Sequence, residues 1–313
     1  VDDFELIDVI DEQQCESDDI QGDTYIEIDN NFIGDEFYTN GLNTMKATVV
    51  HEFFHAIQRA YIPDYNSSDQ YFFEFTSMWI EDVIVPDAND YLYFLSGSSS
   101  SSKFFSNPEL KFSDTDGYST ALFGHYLSSI VQGVDDETLN TIIREVWENF
   151  EEGLDPIGSF NAVLENYNFT FIEAWVDFCS RNFHNGQFPD MDNEIYYYID
   201  QTSTVLNELD IDDGYNVNNG ESLLLSDITN QDPLEFDLDD QSIQIHSIEA
   251  DMDASINMIY SAERPSLGKY IINETGPAVL ESDELIVDID DNQINFTVKK
   301  NDIIHFIYSD INS

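Results

Sequence analysis

The sequence predicts an α+β chain: a mainly helical domain with a short N-terminal strand region, followed by a C-terminal β-sandwich. Two observations carry this. From residue 44 to about 183, apolar residues recur three or four apart, the period of a helix with one face on a core. After about residue 200 they fall into short, β-branched, partly alternating runs separated by Asn, Asp, Gly and Pro, the pattern of strands and tight turns. The expected domains are therefore 1–199 and 200–313.

Within the first 43 residues, which are acidic and loop-rich, the alternating stretch "TYIEIDNNF" reads as a strand. "NTMKATVVHEFFHAIQRAY" follows as a helix, with Asn43 or Thr44 as N-cap and Pro63 barring its continuation. "SSDQYFFEFTSMWIEDVIVP" is a second helix, capped by Ser67 or Ser68 and ended by Pro86. The serine-rich stretch 96–102 reads as a loop. "DGYSTALFGHYLSSIV", "DDETLNTIIREVWENF", "PIGSFNAVLENY" and "TFIEAWVDFCSRNF" read as four further helices, and "QFPDMDNEIYYYIDQ" as the junction to the β region. There, "SIQIHSIEADM", "SINMIYSAE", "KYIINE", "ELIVDID", "QINFTVKK" and "DIIHFIYSD" are the expected strands.

Composition narrows the partners. Hydrophobic residues make up 42% and aromatics 14% of 313 residues, enough for real cores despite the charge. With 64 acidic against 10 basic residues the net charge is -54, and the longest basic run is Lys299-Lys300. Such a chain repels phosphates and anionic lipids, so nucleic acid and membrane surfaces are not expected partners. The acidity fits solubility in a salty medium, where self-repulsion is screened. No apolar run approaches the roughly 18 residues of a membrane span. Cys15 and Cys179 allow one bridge or two buried thiols, and both readings stay open. The chain starts at Val1 with no methionine and no signal-like segment, from which a mature, secreted or cell-surface protein is expected. It is taken as a monomer.

Chemistry concentrates in "HEFFH". On a helix, residues four apart share one face, so His51 and His55 can address one ion. Glu52 is rotated by about 100° from His51, too far to be a natural ligand but near enough to take a proton from a metal-activated water. His-Glu-x-x-His arises by chance roughly once in a hundred chains of this composition. The next helix adds Glu74, with 18 residues between it and His55. Two histidines and a carboxylate leave a fourth position open, the mark of a catalytic rather than a structural zinc site.

This spacing, HExxH-x18-E, resembles that of the gluzincin zinc peptidases. "FEFTSMWIED" is similar to their aminopeptidase branch, in which the ligand Glu is followed by a small residue, an aromatic and a Glu; here these are Ser77, Trp79 and Glu81. "HEFFHAIQRAY" with "FEFTSMWIED" looks closer still to secreted bacterial metallopeptidases with a C-terminal β domain. The resemblance covers residues 25 to about 130 and the rest in outline. It implies a zincin-like catalytic domain with His51, His55 and Glu74 as ligands of one catalytic zinc and Glu52 as general base. It also implies that "TYIEIDNNF" is the edge strand over a cleft, pairing with an extended protein or peptide substrate. Met78 stands where thermolysin-like members have an Asp, so Glu81 or Asp82 is left to orient a ligand histidine. The aminopeptidase exopeptidase motif is absent, which favours an endopeptidase or a narrower hydrolase.

For the oxyanion donor, the candidates are Tyr118 and His125, seven apart and so on one helical face; Tyr118, near the helix start, is preferred. Calcium is a second expected cation. Asp-x-Asp clusters stand at 114–117, 190–194, 210–214 and 288–292, though none completes a twelve-residue calcium loop. The competing reading of the whole is an inactive metallopeptidase scaffold used for surface binding or attachment. Hydrolysis of a non-peptide bond is a third.

Overall fold

The structure, a computed structural model, describes residues 41–63, 66–95, 103–108, 110–133, 141–185, 223–228, 243–259, 265–273 and 293–310. The expected strand at 24–32, the loop at 96–102, the junction at 187–201, the strand at 284–290, Cys15 and the 199/200 boundary lie outside them. Helices fill the first part and paired strands the second, an α+β chain.

Helix α1 (Leu42–Tyr61) starts two or three residues earlier than the polar residues suggested. Its N-cap is Gly41, at φ 76°, whose carbonyl accepts from Met45 N–H at 3.0 Å. A left-handed φ favours glycine over any side-chain cap, so Asn43 and Thr44 sit inside the first turn. Helix α2 (Gln70–Ile84) follows a single 3₁₀ turn, Ser67–Asp69. Asn66 caps that turn, accepting from Ser68 N–H at 3.2 Å, so Ser67 and Ser68 do not cap α2. Pro86 ends α2 as expected, with Val85 as its last residue's cap.

A short helix α3 (Tyr91–Leu95) was not expected, since five residues are too few to show a period. The stretch read as one helix from residue 116 divides into three pieces. A 3₁₀ turn (Tyr118–Thr120) leads into α4 (Ala121–Tyr126), which widens into a π-type turn (Leu127–Val131). Helix α5 is Ile142–Glu151. Helix α6 (Pro156–Leu164) opens with Pro156 after Asp155, whose carboxylate accepts from Gly158 N–H at 2.6 Å. Helix α7 (Phe171–Asn185) opens on a reciprocal pair: Thr170 N–H donates to Glu173 Oε2 at 2.7 Å and Glu173 N–H to Thr170 Oγ1 at 3.3 Å.

The apolar faces of these helices enclose an aromatic core. Phe123, fully buried, has the rings of Phe75, Phe112, Tyr126, Phe160, Trp175 and Phe178 within 6.1 Å of its own. Trp147 stacks on Phe72 at 4.6 Å, joining α5 to α2. The second helix therefore runs through the centre of the core and carries the Glu74 carboxylate into it.

The strands form two sheets. In the first, the order is β1 (Leu223–Leu224), β2 (Ile243–Glu249), β6 (Asp302–Asp310) and β4 (Pro265–Asn273); β1 pairs with β2 in parallel and the rest are antiparallel. In the second, β3 (Ala254–Ile259) pairs antiparallel with β5 (Gln293–Val298). Ile248 of β2, Val298 of β5 and Ile304 and Phe306 of β6 share one small core, with Ala254 and Ile256 of β3 packed against it. Ile243, at the other end of β2, belongs instead to the helical core, and β4 and β6 lie against α7.

Truncating the central ring tests this core. Phe123→Ala should cost about 3–5 kcal/mol of unfolding free energy, the range for a fully buried Phe, read as a lowered denaturant midpoint.

Candidate metal centre

One turn of α1 separates His51 from His55, and both are buried, at 7% and 8% exposure. Glu74, on α2, is 2% exposed. The packing of α2 on α1 brings their tips together. His51 Nε2 and His55 Nε2 are 3.0 Å apart, His51 Nε2 and Glu74 Oε2 3.2 Å, and His55 Nε2 and Glu74 Oε2 3.4 Å. Among the described residues these three are the one group of His, Cys, Asp or Glu placed to hold a metal ion.

The outer nitrogens settle which atoms face inward. His51 Nδ1 lies 2.5 Å from Glu81 Oε1, so one proton stands between them whichever atom holds it. His55 Nδ1 lies 2.7 Å from Gln58 Oε1 and 3.2 Å from Ser77 Oγ. Both Nδ1 atoms are thus engaged away from the centre, and two Nε2 atoms and a carboxylate oxygen point at one another. Three acceptors at that spacing repel unless positive charge lies between them. A metal ion fits that requirement, and so does a proton.

The titration of the group follows from this. Burial by itself would lower the pKa of His51, but its hydrogen bonds to Glu74 and Glu81 outweigh it and raise the value to about 10. Burial would raise Glu74, yet its hydrogen bond to His51 and the closeness of the His55 ring hold it well below the usual carboxylate range. Glu81 is pushed up by burial and by the nearby charges of Asp90 and Glu52, against the pull of its His51 hydrogen bond. Within the His51–Glu81 pair the proton stays with His51, whose ring has a carboxylate on each side.

Of the other candidates, Glu52 is half-buried on α1 and close enough to Glu81 to act on its titration. Tyr118 is brought to the centre: its ring lies nearly parallel to that of His51, centroids 5.8 Å apart at 10°. It does so from the 3₁₀ turn rather than from the helix start foreseen. His125, on α4, turns elsewhere, with Nε2 3.0 Å from Asp82 Oδ2 and its ring 6.0 Å from Tyr91. The shared helical face expected for Tyr118 and His125 is lost because the turn and α4 have different periods. Of the two carboxylates considered for orienting a histidine, Glu81 meets His51, while Asp82 lies beside His125 without a hydrogen bond to its Nε2.

Two residues escaped sequence reasoning. Gln58, 1% exposed, touches His55 and α2 together. Gly117, at φ 78°, lies so close to α2 that a Cβ there would collide with the Tyr71 carbonyl oxygen and stand 2.8 Å from Glu74 Cβ. That close approach sets Tyr118 beside His51. The "DTDG" stretch ending in Gly117 links two 3₁₀ turns, and its aspartates are not in the group placed to hold a metal ion among the described residues. Asp116 Oδ1 accepts from Ser119 N–H at 2.9 Å and from Ser119 Oγ at 2.7 Å, spending its lone pairs on the chain itself. The other three acidic clusters lie outside the described residues, as does Cys15, while Cys179 is buried. No helix among the described residues is long and apolar enough to cross a membrane.

No protein-family model, curated protein or solved structure matches this chain.

Two outcomes are expected. Below about pH 10 the His51 proton must leave when an ion enters, so ion binding should release close to one proton and tighten about tenfold per pH unit across the neutral range. Competition with a chelator at several pH values reads both. Gly117→Ala should lose roughly 2 kcal/mol or more of stability, since both the φ and the contact with α2 forbid a side chain. Chemical denaturation measures it, and ion affinity should weaken in the same variant.

Proposed function

We propose that the chain is a secreted zinc metallopeptidase, an endopeptidase acting on protein or peptide substrates. The observation that carries this is the triangle of acceptors, with sides of 3.0, 3.2 and 3.4 Å. Zinc bound at about 2.0–2.1 Å by tetrahedral ligands requires ligand–ligand edges of roughly 3.3 Å, and the three sides bracket that value. Two imidazoles with one carboxylate are the donor set of catalytic rather than structural zinc. The engaged Nδ1 atoms supply the outer partners that ligating histidines use. Zinc in this position supplies Lewis-acid activation of water and of a peptide carbonyl.

The protein's own part is proton handling and orientation. The Glu52 carboxylate, one residue from His51 and outside the ligand set, accepts the proton of the attacking water and returns it to the leaving amine. The Tyr118 hydroxyl donates to the carbonyl oxygen as negative charge develops there. Glu81 holds the His51 ring by its Nδ1. The shared core of β2, β3, β5 and β6 supports reading the C-terminal region as a β-sandwich that places substrate or attaches the enzyme. Secretion rests on the acidic composition and on the resemblance to secreted enzymes.

Purified protein should carry, or take up, about one zinc per chain. Less than about a tenth of an equivalent, with no uptake on addition, overturns the reading. Cleavage of an unstructured protein substrate should be blocked by a chelator and restored by zinc; binding of zinc without any cleavage would instead support an inactive attachment scaffold. Glu52→Gln should retain the ion while turnover falls at least about 10²-fold, because an amide cannot accept the proton. Tyr118→Phe should lower kcat about 10²-fold, the usual cost of one oxyanion donor; unchanged turnover would remove Tyr118 from the mechanism.

A further inference from the structure

Gln58 is a fully buried amide whose every polar atom is committed. Its Nε2 lies 2.9 Å from the Phe73 carbonyl oxygen, 2.9 Å from Thr76 Oγ1 and 3.1 Å from Ser77 Oγ, and its Oε1 lies 2.7 Å from His55 Nδ1. The orientation of the amide is dictated by these neighbours. A carbonyl oxygen can only accept, so the NH₂ must be the end that faces Phe73. Thr76 Oγ1 is already turned to donate to the Phe72 carbonyl at 3.0 Å and therefore accepts from Gln58. The amide oxygen is left facing His55, and an oxygen that only accepts requires the imidazole to carry its proton on Nδ1. The His55 Nε2 lone pair is then aimed at the centre.

The same side chain is also a strut between helices. Phe73 immediately precedes Glu74, so the amide anchored to the Phe73 carbonyl ties the second histidine of α1 to the segment of α2 that presents the carboxylate. On the inner side of the ring, His55 Nε2 stands 3.4 Å from Glu74 Oε2. Its neutrality matters as well. His51 already has an anionic outer partner in Glu81, and with Glu74 the carboxylates balance a divalent ion; a neutral amide behind His55 keeps that balance.

We propose that Gln58 is the positioning residue of the metal centre. It fixes His55 in the tautomer that can bind a metal and holds α1 and α2 in the register that brings His55 to Glu74. This rests on the metal-binding reading of the trio, but the tautomer itself does not depend on an ion.

The test uses the full chain, its Gln58→Met and Gln58→Glu variants, and zinc ions alone, with affinity read by competition against a chromophoric chelator. Gln58→Met keeps the volume but removes both halves of the amide. With helical circular dichroism retained, it should bind zinc about 10–100-fold more weakly, the usual cost of losing an outer partner. Gln58→Glu keeps an oxygen for His55 Nδ1 but gives up the NH₂ that holds α2, and its affinity should fall between that of the unaltered chain and that of Gln58→Met. Affinity of Gln58→Met within twofold of the unaltered chain overturns the proposal, as does a Gln58→Glu loss as deep as that of Gln58→Met. Nitrogen-15 NMR of the unaltered chain stripped by chelator, at about pH 8, should show His55 protonated on Nδ1 and bare on Nε2. The opposite tautomer overturns the proposal even where zinc binds. Should the unaltered chain take up no zinc, the metallopeptidase reading falls, while the NMR tautomer still decides the role of Gln58. The NMR result likewise decides it if Gln58→Met does not fold.

Discussion

Three hydrogen-bond acceptors held within 3.4 Å of one another are the constraint to which the helical part of this protein answers. Left alone such atoms separate. Here they cannot, because each is pinned from behind: His51 by Glu81, His55 by Gln58 and Ser77, and Glu74 by its place on a helix buried in aromatic rings. The cost of crowding like atoms is met by whatever cation enters, and the pinning is what makes the entry worthwhile. A site that collapsed or splayed when empty of charge would have to be rebuilt with every binding event.

That pinning depends on the stiffness of α2. Nine consecutive residues of the helix, 71–79, are buried, and its Phe72, Phe73 and Phe75 interlock with Trp147, Phe150, Phe112 and Phe160. Aromatic rings packed edge to face leave few alternative arrangements. A polar cluster can be carried through such a core only if its members satisfy one another, as they do from Gln58 through His55 to Glu74. The buried acids Glu74 and Glu81 are set by their individual partners rather than by the net charge of -54.

The spacing of His51, His55 and Glu74 was legible in the sequence because the helical repeat dictates which residues share a face, and the length of the turn between helices dictates the rest. Glu81 was half legible: a carboxylate was expected behind a histidine, but the choice between Glu81 and Asp82 depends on how α2 is rotated against α1 and α4. Gln58 was not legible, since nothing local distinguishes an amide on a helix face from one strung between two helices. Gly117 was masked by its neighbours. Its acidic surroundings suggested a cation loop, whereas the lack of a side chain is the feature that matters. The helix beginnings failed for a related reason, as polar residues near a start are common and the backbone angle of Gly41 leaves no trace in composition. Elements with a long period were recognised, and the break of the 118–131 stretch into three kinds of turn was not, because its apolar spacing suits any of them.

The contact of Gly117 with α2 has a mechanical consequence. Tyr118 reaches His51 as an extension of a turn seated directly on the backbone of Tyr71 and Phe75, rather than through a chain of side chains. Glu74 rides on that same length of helix. Any small sliding of α2 therefore carries the carboxylate and the turn bearing the aromatic ring as one piece, like two fittings bolted to a single beam. Errors of placement in the two are correlated, and the geometry between them survives movements that would scramble a site assembled from independent loops.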